Sequence, residues 1–216
     1  MDWTRAFDNY CERTDLSYWS EPVNAVTNAA FLIVAVVMWR RTGGLPSGRV
    51  LAAILFLIGV GSYLFHTYAT VWAAMLDVLP IMGFALFYIF LANRDFWGWA
   101  PQAAFAGMLV YLPFAALTGQ LFSELPFFRI SAVYWSLPLV IGIYALALRP
   151  RDPVLSRNLY IGAGILCLSL IFRSLDESFC DTLPFGTHFL WHVLNAVMLG
   201  WMIETWRRQR LAASAR

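Results

Sequence analysis

Residues 49–91 read RVLAAILFLIGVGSYLFHTYATVWAAMLDVLPIMGFALFYIFL. Two apolar runs, Arg49–Thr67 and Val71–Leu91, meet at a short break. Each is close to the ~20 residues a helix needs to cross the hydrocarbon core of a bilayer. Neither alternates with the two-residue period of a membrane β-strand. Beyond Arg49 at its head, this stretch holds one charged residue, Asp77, and one histidine, His66. Ionisable groups inside membrane spans are costly and usually functional, so these two mark where chemistry is to be sought.

Outward from this pair, five more apolar runs follow the same pattern. They are Asn24–Trp39, Pro101–Leu117, Arg129–Leu148, Leu159–Phe172 and Thr187–Trp206. The sequence thus predicts an all-α integral membrane protein, a bundle of seven transmembrane helices forming one domain over residues 1–216. The composition agrees: 60% of residues are hydrophobic and 13% are charged, against about 25% charged in a soluble domain. That excludes an ordinary soluble enzyme. A net charge of +2 gives no electrostatic footprint for nucleic acid, and no protein partner is inferred. Residues 1–20 are polar and acidic, without the apolar core of a signal peptide. Residues 207–216 form an Arg-rich tail.

Arginine placement gives an orientation. Arg40, Arg41, Arg49, Arg94, Arg149, Arg151, Arg157, Arg207, Arg208, Arg210 and Arg216 fall on one side of the seven spans; Arg5, Arg13, Arg129 and Arg173 fall on the other. The richer side is cytoplasmic, which puts the N-terminus outside and the C-terminus in the cytoplasm. All 15 basic residues are arginine. With the short chain, this suggests a bacterial source from a GC-rich genome and an inner-membrane protein whose outer side is periplasmic. In a eukaryote that side would be the lumen of the ER or Golgi.

The topology brings the three histidines to one depth. His66 ends the second span, which runs outward; His188 and His192 begin the seventh, which runs inward. His188 and His192 are four residues apart and share a helix face. Two imidazoles on one helix and a third from another make a three-ligand zinc site with an open fourth position. Ser62 lies one turn before His66, and Asp77 and Asp176 lie at the same outer level. Simpler roles compete for them: a hydroxyl bonded to its own helix backbone for Ser62, and an acid favoured by the helix dipole for Asp77. Zinc with a nearby carboxylate and hydroxyl suits hydrolysis of an amide or ester. A site inside the bundle implies a lipid substrate.

These motifs resemble a known family. Ser62-Tyr-Leu-Phe-His66, Asp77, Asp176-Glu-Ser-Phe-Cys180 and His188-Phe-Leu-Trp-His192 are similar to the alkaline ceramidases, within a superfamily of seven-span hydrolases that includes adiponectin-receptor-like proteins. Asn9-Tyr10-Cys11-Glu12 and Glu21-Pro-Val-Asn24 resemble the start of that family. The resemblance implies zinc on His66, His188 and His192, with Ser62 and Asp77 as catalytic partners. It implies cleavage of ceramide, or a related long-chain N-acyl lipid, to a fatty acid and an amine such as sphingosine. It also implies a calcium site around Asn9, Tyr10, Glu12 and Glu21. Asn9 replaces an expected acid there, Arg13 and Thr14 also depart from the pattern, and Asp8 and Asp15 are the candidate substitutes; a solvated acidic tail competes with this reading. Topology and the resemblance together pair Cys11 with Cys180, while mid-span Cys167 reads as a small core residue.

Three other functions compete. A hydrolase of another membrane lipid, acting on esters or glycolipids, would keep the same site. A seven-span lipid receptor or sensor would keep the metal but have no need of Ser62 and Asp77. Haem ligation uses two histidines and leaves the third idle.

Overall fold

A computed structural model describes residues 2–214. It is all-helical apart from one isolated bridge between Ala6 and Thr70. The helices are α1 (Pro22–Thr27), α2 (Ala29–Arg41), α3 (Pro46–Tyr68), α4 (Val71–Asp95), α5 (Pro101–Ser123), α6 (Pro126–Arg129), α7 (Ser136–Leu148), α8 (Pro153–Leu175) and α9 (His188–Ser214), with a 3₁₀ turn at Asp176–Phe179. Five of them open on proline, which lacks the N–H that would go unpaired at a first helical position and already has helical φ. At α8 the Asp152 carboxylate adds a cap, accepting the Leu155 N–H at 2.8 Å.

The helices form a ring. α2 packs on α3, α3 on α4, α4 on α5, α5 on α7, α7 on α8 and α8 on α9, and α9 returns to α2. Inside lies an apolar core of Leu51, Leu55, Ile58, Phe84, Leu91, Leu166, Leu170, Met202 and Trp206. Outside, Ile33, Val37, Leu57, Leu79, Val110, Leu117, Leu121, Ile143, Leu146 and Val197 are exposed. Only a hydrocarbon solvent accommodates so continuous an apolar exterior, and helices satisfy their own backbone groups within it. Five rods are long and apolar enough to cross a membrane: Pro22–Arg41, α3, α4, α5 and Pro153–Phe179. α7 is apolar but short, at 13 residues. α9 is long but interrupted by His188, His192, Asn195 and Glu204.

The fifth predicted span, Arg129–Leu148, is shorter than expected. Ile130–Trp135 form turns, and regular helix starts at Ser136. Arg173 of α8 explains the break. Its guanidinium donates to the Ile130 carbonyl at 2.6 Å and to Ser131 Oγ at 2.8 Å, and lies over the rings of Tyr134 and Trp191. A charged donor satisfies a carbonyl that helical continuation would otherwise have used.

Gly61 sets the fit of α3 against α4. A Cβ there would collide with the Leu76 carbonyl oxygen and lie 3.1 Å from the Asp77 nitrogen. Only glycine lets the two backbones approach so closely, and the approach brings the first turns of α4 beside the end of α3. The N-terminal segment then covers this end of the bundle: Val71 N–H donates to Arg5 O at 3.1 Å and Phe7 N–H to Ala69 O at 2.7 Å. Cys11 and Cys180 form a disulfide that closes the segment onto the loop before α9.

Candidate metal centre

His66, His188 and His192 are all buried, and their candidate ligand atoms lie within 4.8 Å of one another. α3 supplies the first; the opening turns of α9 supply the others. Asp176 fixes the opening turn of α9. Its Oδ1 accepts the N–H groups of Thr187 at 2.7 Å and His188 at 2.8 Å, and its Oδ2 accepts that of Cys11 at 3.1 Å. The carboxylate therefore caps α9 and is spent on structure. Gly186 stands at φ +61°, where a Cβ would strike that same Asp176 oxygen.

The hydrogen bonds assign the histidine tautomers. His66 Nδ1 lies 2.6 Å from Glu21 Oε2. A carboxylate only accepts, so Nδ1 carries the proton and Nε2 presents a lone pair. Thr27 Oγ1 donates to the Val23 carbonyl at 2.8 Å, which leaves its oxygen to accept from His192 Nδ1 at 2.9 Å. His192 Nε2 presents a lone pair as well. The two Nε2 atoms face each other at 3.0 Å, and two lone pairs so placed repel unless a cation lies between them. Two nitrogens each bonded to one tetrahedral zinc would stand about 3.3 Å apart. His188 stacks on Tyr10, with ring centroids 3.9 Å apart, and its Nδ1 is buried with no partner among the described residues. The donor set, the tautomers and the second-layer carboxylate and hydroxyl all fit a bound metal.

Beside the histidines an apolar cavity runs into the bundle. Ser62 and Asp77 line it together with Phe84, Tyr88, Leu166, Met198 and Met202. Ser62 is buried. Threonines 27, 42, 67 and 118 bond the carbonyl one turn back; among the described residues Ser62 makes no such bond. Asp77 is the seventh residue of α4, beyond the first turn where a helix dipole would account for an acid. Asn195 also lines the cavity, one turn past His192, and its buried Nδ2 has no partner among the described residues.

The acidic segment is arranged differently from a cluster of metal ligands. Glu12 accepts the N–H groups of Val23 at 2.6 Å and Asn24 at 2.8 Å, and so holds the first turn of α1. Burial raises its carboxyl pKa, and those two bonds offset part of the rise. Burial also pushes Glu21 up, but His66 and Arg13 outweigh it and hold that carboxyl below its ordinary value. Tyr10 stacks on His188, and Asn9 is exposed. Among the described residues, the one group of three or more His, Cys, Asp or Glu side chains that could share a metal is the histidine trio.

Sequence reasoning missed the partners of the histidines. Glu21, which the resemblance groups with a calcium site, holds His66 Nδ1 here, while Thr27 and Arg13 carry no expectation as partners of the histidines. One signal was available. Glu21, Asn24 and Asn28 repeat at helical spacing at the head of an apolar run, and a polar stripe on a span should face the protein interior.

Comparison with known proteins is unambiguous in one respect. The ceramidase family model matches residues 5–212, and the chain belongs to that family. Membership carries with it amide hydrolysis of a lipid substrate such as ceramide, and the long apolar helices make this a multi-pass membrane protein. No curated relative matches the chain.

Proposed function

We propose that this chain is a zinc-dependent intramembrane amidase that cleaves ceramide, or a related long-chain N-acyl lipid, to a fatty acid and a free amine such as sphingosine. His66, His188 and His192 hold the metal. The observation that carries the reading is the pair of facing His66 and His192 lone pairs, with a hydroxyl one helical turn before His66 that shares an apolar cavity with the Asp77 carboxylate of α4.

Bound zinc supplies a Lewis acid and lowers the pKa of water to about 7. The chain's own residues do the rest. The cavity wall of Phe84, Leu166 and Met202 takes an acyl chain and excludes bulk water. Ser62 donates its hydroxyl proton in a hydrogen bond to the amide oxygen as that oxygen gains charge. Asp77 takes the proton of the attacking water and returns it to the departing amine. Asn195 offers a further donor to the substrate's polar groups.

Seven rods span the membrane in this reading, with α7 completed by the turns before it. The histidine end faces outward: the periplasm in a bacterium, or the ER or Golgi lumen in a eukaryote. Arg41, Arg207, Arg208 and Arg210 gather at the opposite, cytoplasmic end.

The test is turnover of ceramide by purified protein in lipid. Ser62→Ala and Asp77→Asn should keep zinc and lose about 10²–10³ in rate, while His66→Ala should lose zinc and turnover together. Wild-type rates in both cavity variants would overturn the assignment. Zinc-loaded wild type that cleaves only an ester or a glycolipid would move the substrate class; binding without cleavage of any lipid would make it a receptor.

A further inference from the structure

A buried guanidinium stands at the centre of the N-terminal segment. Arg13 is 5% exposed, and its three nitrogens all find oxygen. Nε donates to Glu21 Oε1, Nη1 to the Asp15 carbonyl at 3.1 Å, and Nη2 to the His66 carbonyl at 3.1 Å. One carboxylate and two main-chain carbonyls from separate pieces of chain thus converge on one positive charge. Those are the ligand types a calcium ion collects. Here the cation they surround is covalently part of the chain.

Among the described residues the carboxylate oxygens around Arg13 are already engaged, and the buried oxygens left without a partner are the neutral amide oxygens of Asn24 and Asn28. The other Glu21 oxygen is on His66 Nδ1, with Asn24 Nδ2 at 3.3 Å. Both Glu12 oxygens are taken by backbone N–H groups. The Asp15 carboxylate accepts from Ser17 N–H at 2.8 Å and is exposed, as are Asp8 and Asn9. A divalent ion inserted beside Arg13 would meet a fixed positive charge in a buried setting, where repulsion is poorly screened.

We infer that Arg13 serves as an internal cation in place of bound calcium, and that through Glu21 it positions His66 for the metal centre. Arg13 neutralises Glu21, Glu21 holds the Nδ1 proton of His66, and Nη2 holds the carbonyl of that same His66. The guanidinium fills the space with a cation tethered to the chain, so this arrangement does not call on calcium. The chain then needs a divalent metal at the histidines alone. Arg13 acts through Glu21 and is a positioning residue.

Elemental analysis and thermal melts of the full-length protein in detergent test this, and neither readout depends on turnover or on the identity of the lipid. Wild type should carry no stoichiometric calcium, and millimolar calcium chloride should leave its Tm unmoved. One tightly held calcium per chain, or a calcium-dependent rise in wild-type Tm, would overturn the inference. Arg13→Ala exposes Glu21 and two carbonyls to an empty space; its Tm should fall on the order of 10 °C, with weaker zinc retention on dialysis. Added calcium or guanidinium should raise the Tm of Arg13→Ala while leaving wild type untouched. An Arg13→Ala protein with wild-type Tm and wild-type zinc would also overturn it. If that variant fails to fold, the calcium content and calcium response of wild type still decide.

Discussion

The two ends of the bundle both carry ion pairs, and the pairs differ in burial. At the histidine end, the Arg13 and Glu21 side chains are each 2% exposed, and the pair sits against the imidazole of His66. At the other end, Glu204 gathers Arg41, Arg207 and Arg208, whose side chains are 48%, 19% and 61% exposed. Asp95 there takes Arg94, Arg210 and the Trp206 indole N–H. The chemistry is the same and the consequences are not. A buried pair is expensive to break, because removing one partner strands the other charge away from water. An exposed pair competes with water and salt for both its members. Only the first kind can fix a side chain well enough to aim a metal ligand.

The largest effect should therefore come from Glu21→Ala. It strands Arg13 and removes the acceptor that sets the His66 tautomer. The fold should lose about 3–5 kcal/mol, and metal affinity should fall about 10- to 100-fold. Thermal melts and zinc titration of the same preparation check both. A loss of stability with unchanged zinc affinity would show that Glu21 supports the fold without aiming His66.

Next comes the clamp across the same end. The Cys11–Cys180 bond spans 169 residues of sequence, and replacing both cysteines with serine should remove about 2–4 kcal/mol. Asp176 still ties Cys11 N–H to the start of α9, so the segment should stay docked and zinc should be retained. Zinc loss as large as that of Glu21→Ala would mean that the disulfide, rather than the buried pair, holds the site together.

A finer cut lies within the metal centre. Thr27→Val keeps shape but removes the acceptor for His192 Nδ1–H. Leaving that buried donor unpaired should cost about 1–3 kcal/mol, with a smaller loss of zinc affinity than Glu21→Ala, because a hydroxyl orients an imidazole without adding charge. Equal effects of the two variants would contradict the primacy given to the carboxylate.

The contrast between the ends also explains what the sequence made legible. The meeting of His66 with His188 and His192 follows from topology, since helices that enter from opposite faces bring fixed depths together whatever their rotation. Ser62 follows from His66 by helical spacing. Glu21 and Thr27 do not follow, because their roles depend on how α1 is rotated against α3 and α9. The stripe of Glu21, Asn24 and Asn28 turns this stretch toward the interior but does not name the atoms it meets there. Asp176 looked like chemistry because it is an acid at the right depth; its work as the cap of α9 depends on a loop whose path rests on Gly186. The late start of α7 was invisible for a different reason. Ile130–Trp135 are as compatible with helix as the residues after them, and the turn is decided by Arg173, which lies more than forty positions away in sequence.

The smallest effect should come from the end opposite the histidines. Glu204→Gln keeps the length of the side chain and removes the charge shared by three arginines. The bonds it makes are short, with Arg207 at 2.7 Å, Arg208 at 2.8 Å and Arg41 at 2.9 Å. A network of this kind does better than an isolated surface pair, yet two of its three cations are open to solvent and the glutamine can still accept hydrogen bonds. A loss of about 1 kcal/mol is expected. Salt separates it from the buried pair: screening over about 10 Å at 0.1 M weakens exposed pairs and leaves buried ones largely intact. The Tm gap between wild type and Glu204→Gln should thus shrink as salt is raised, whereas the gap for Glu21→Ala should not. If both gaps shrink alike, solvent ions reach the Arg13–Glu21 pair, and burial does not let it aim His66.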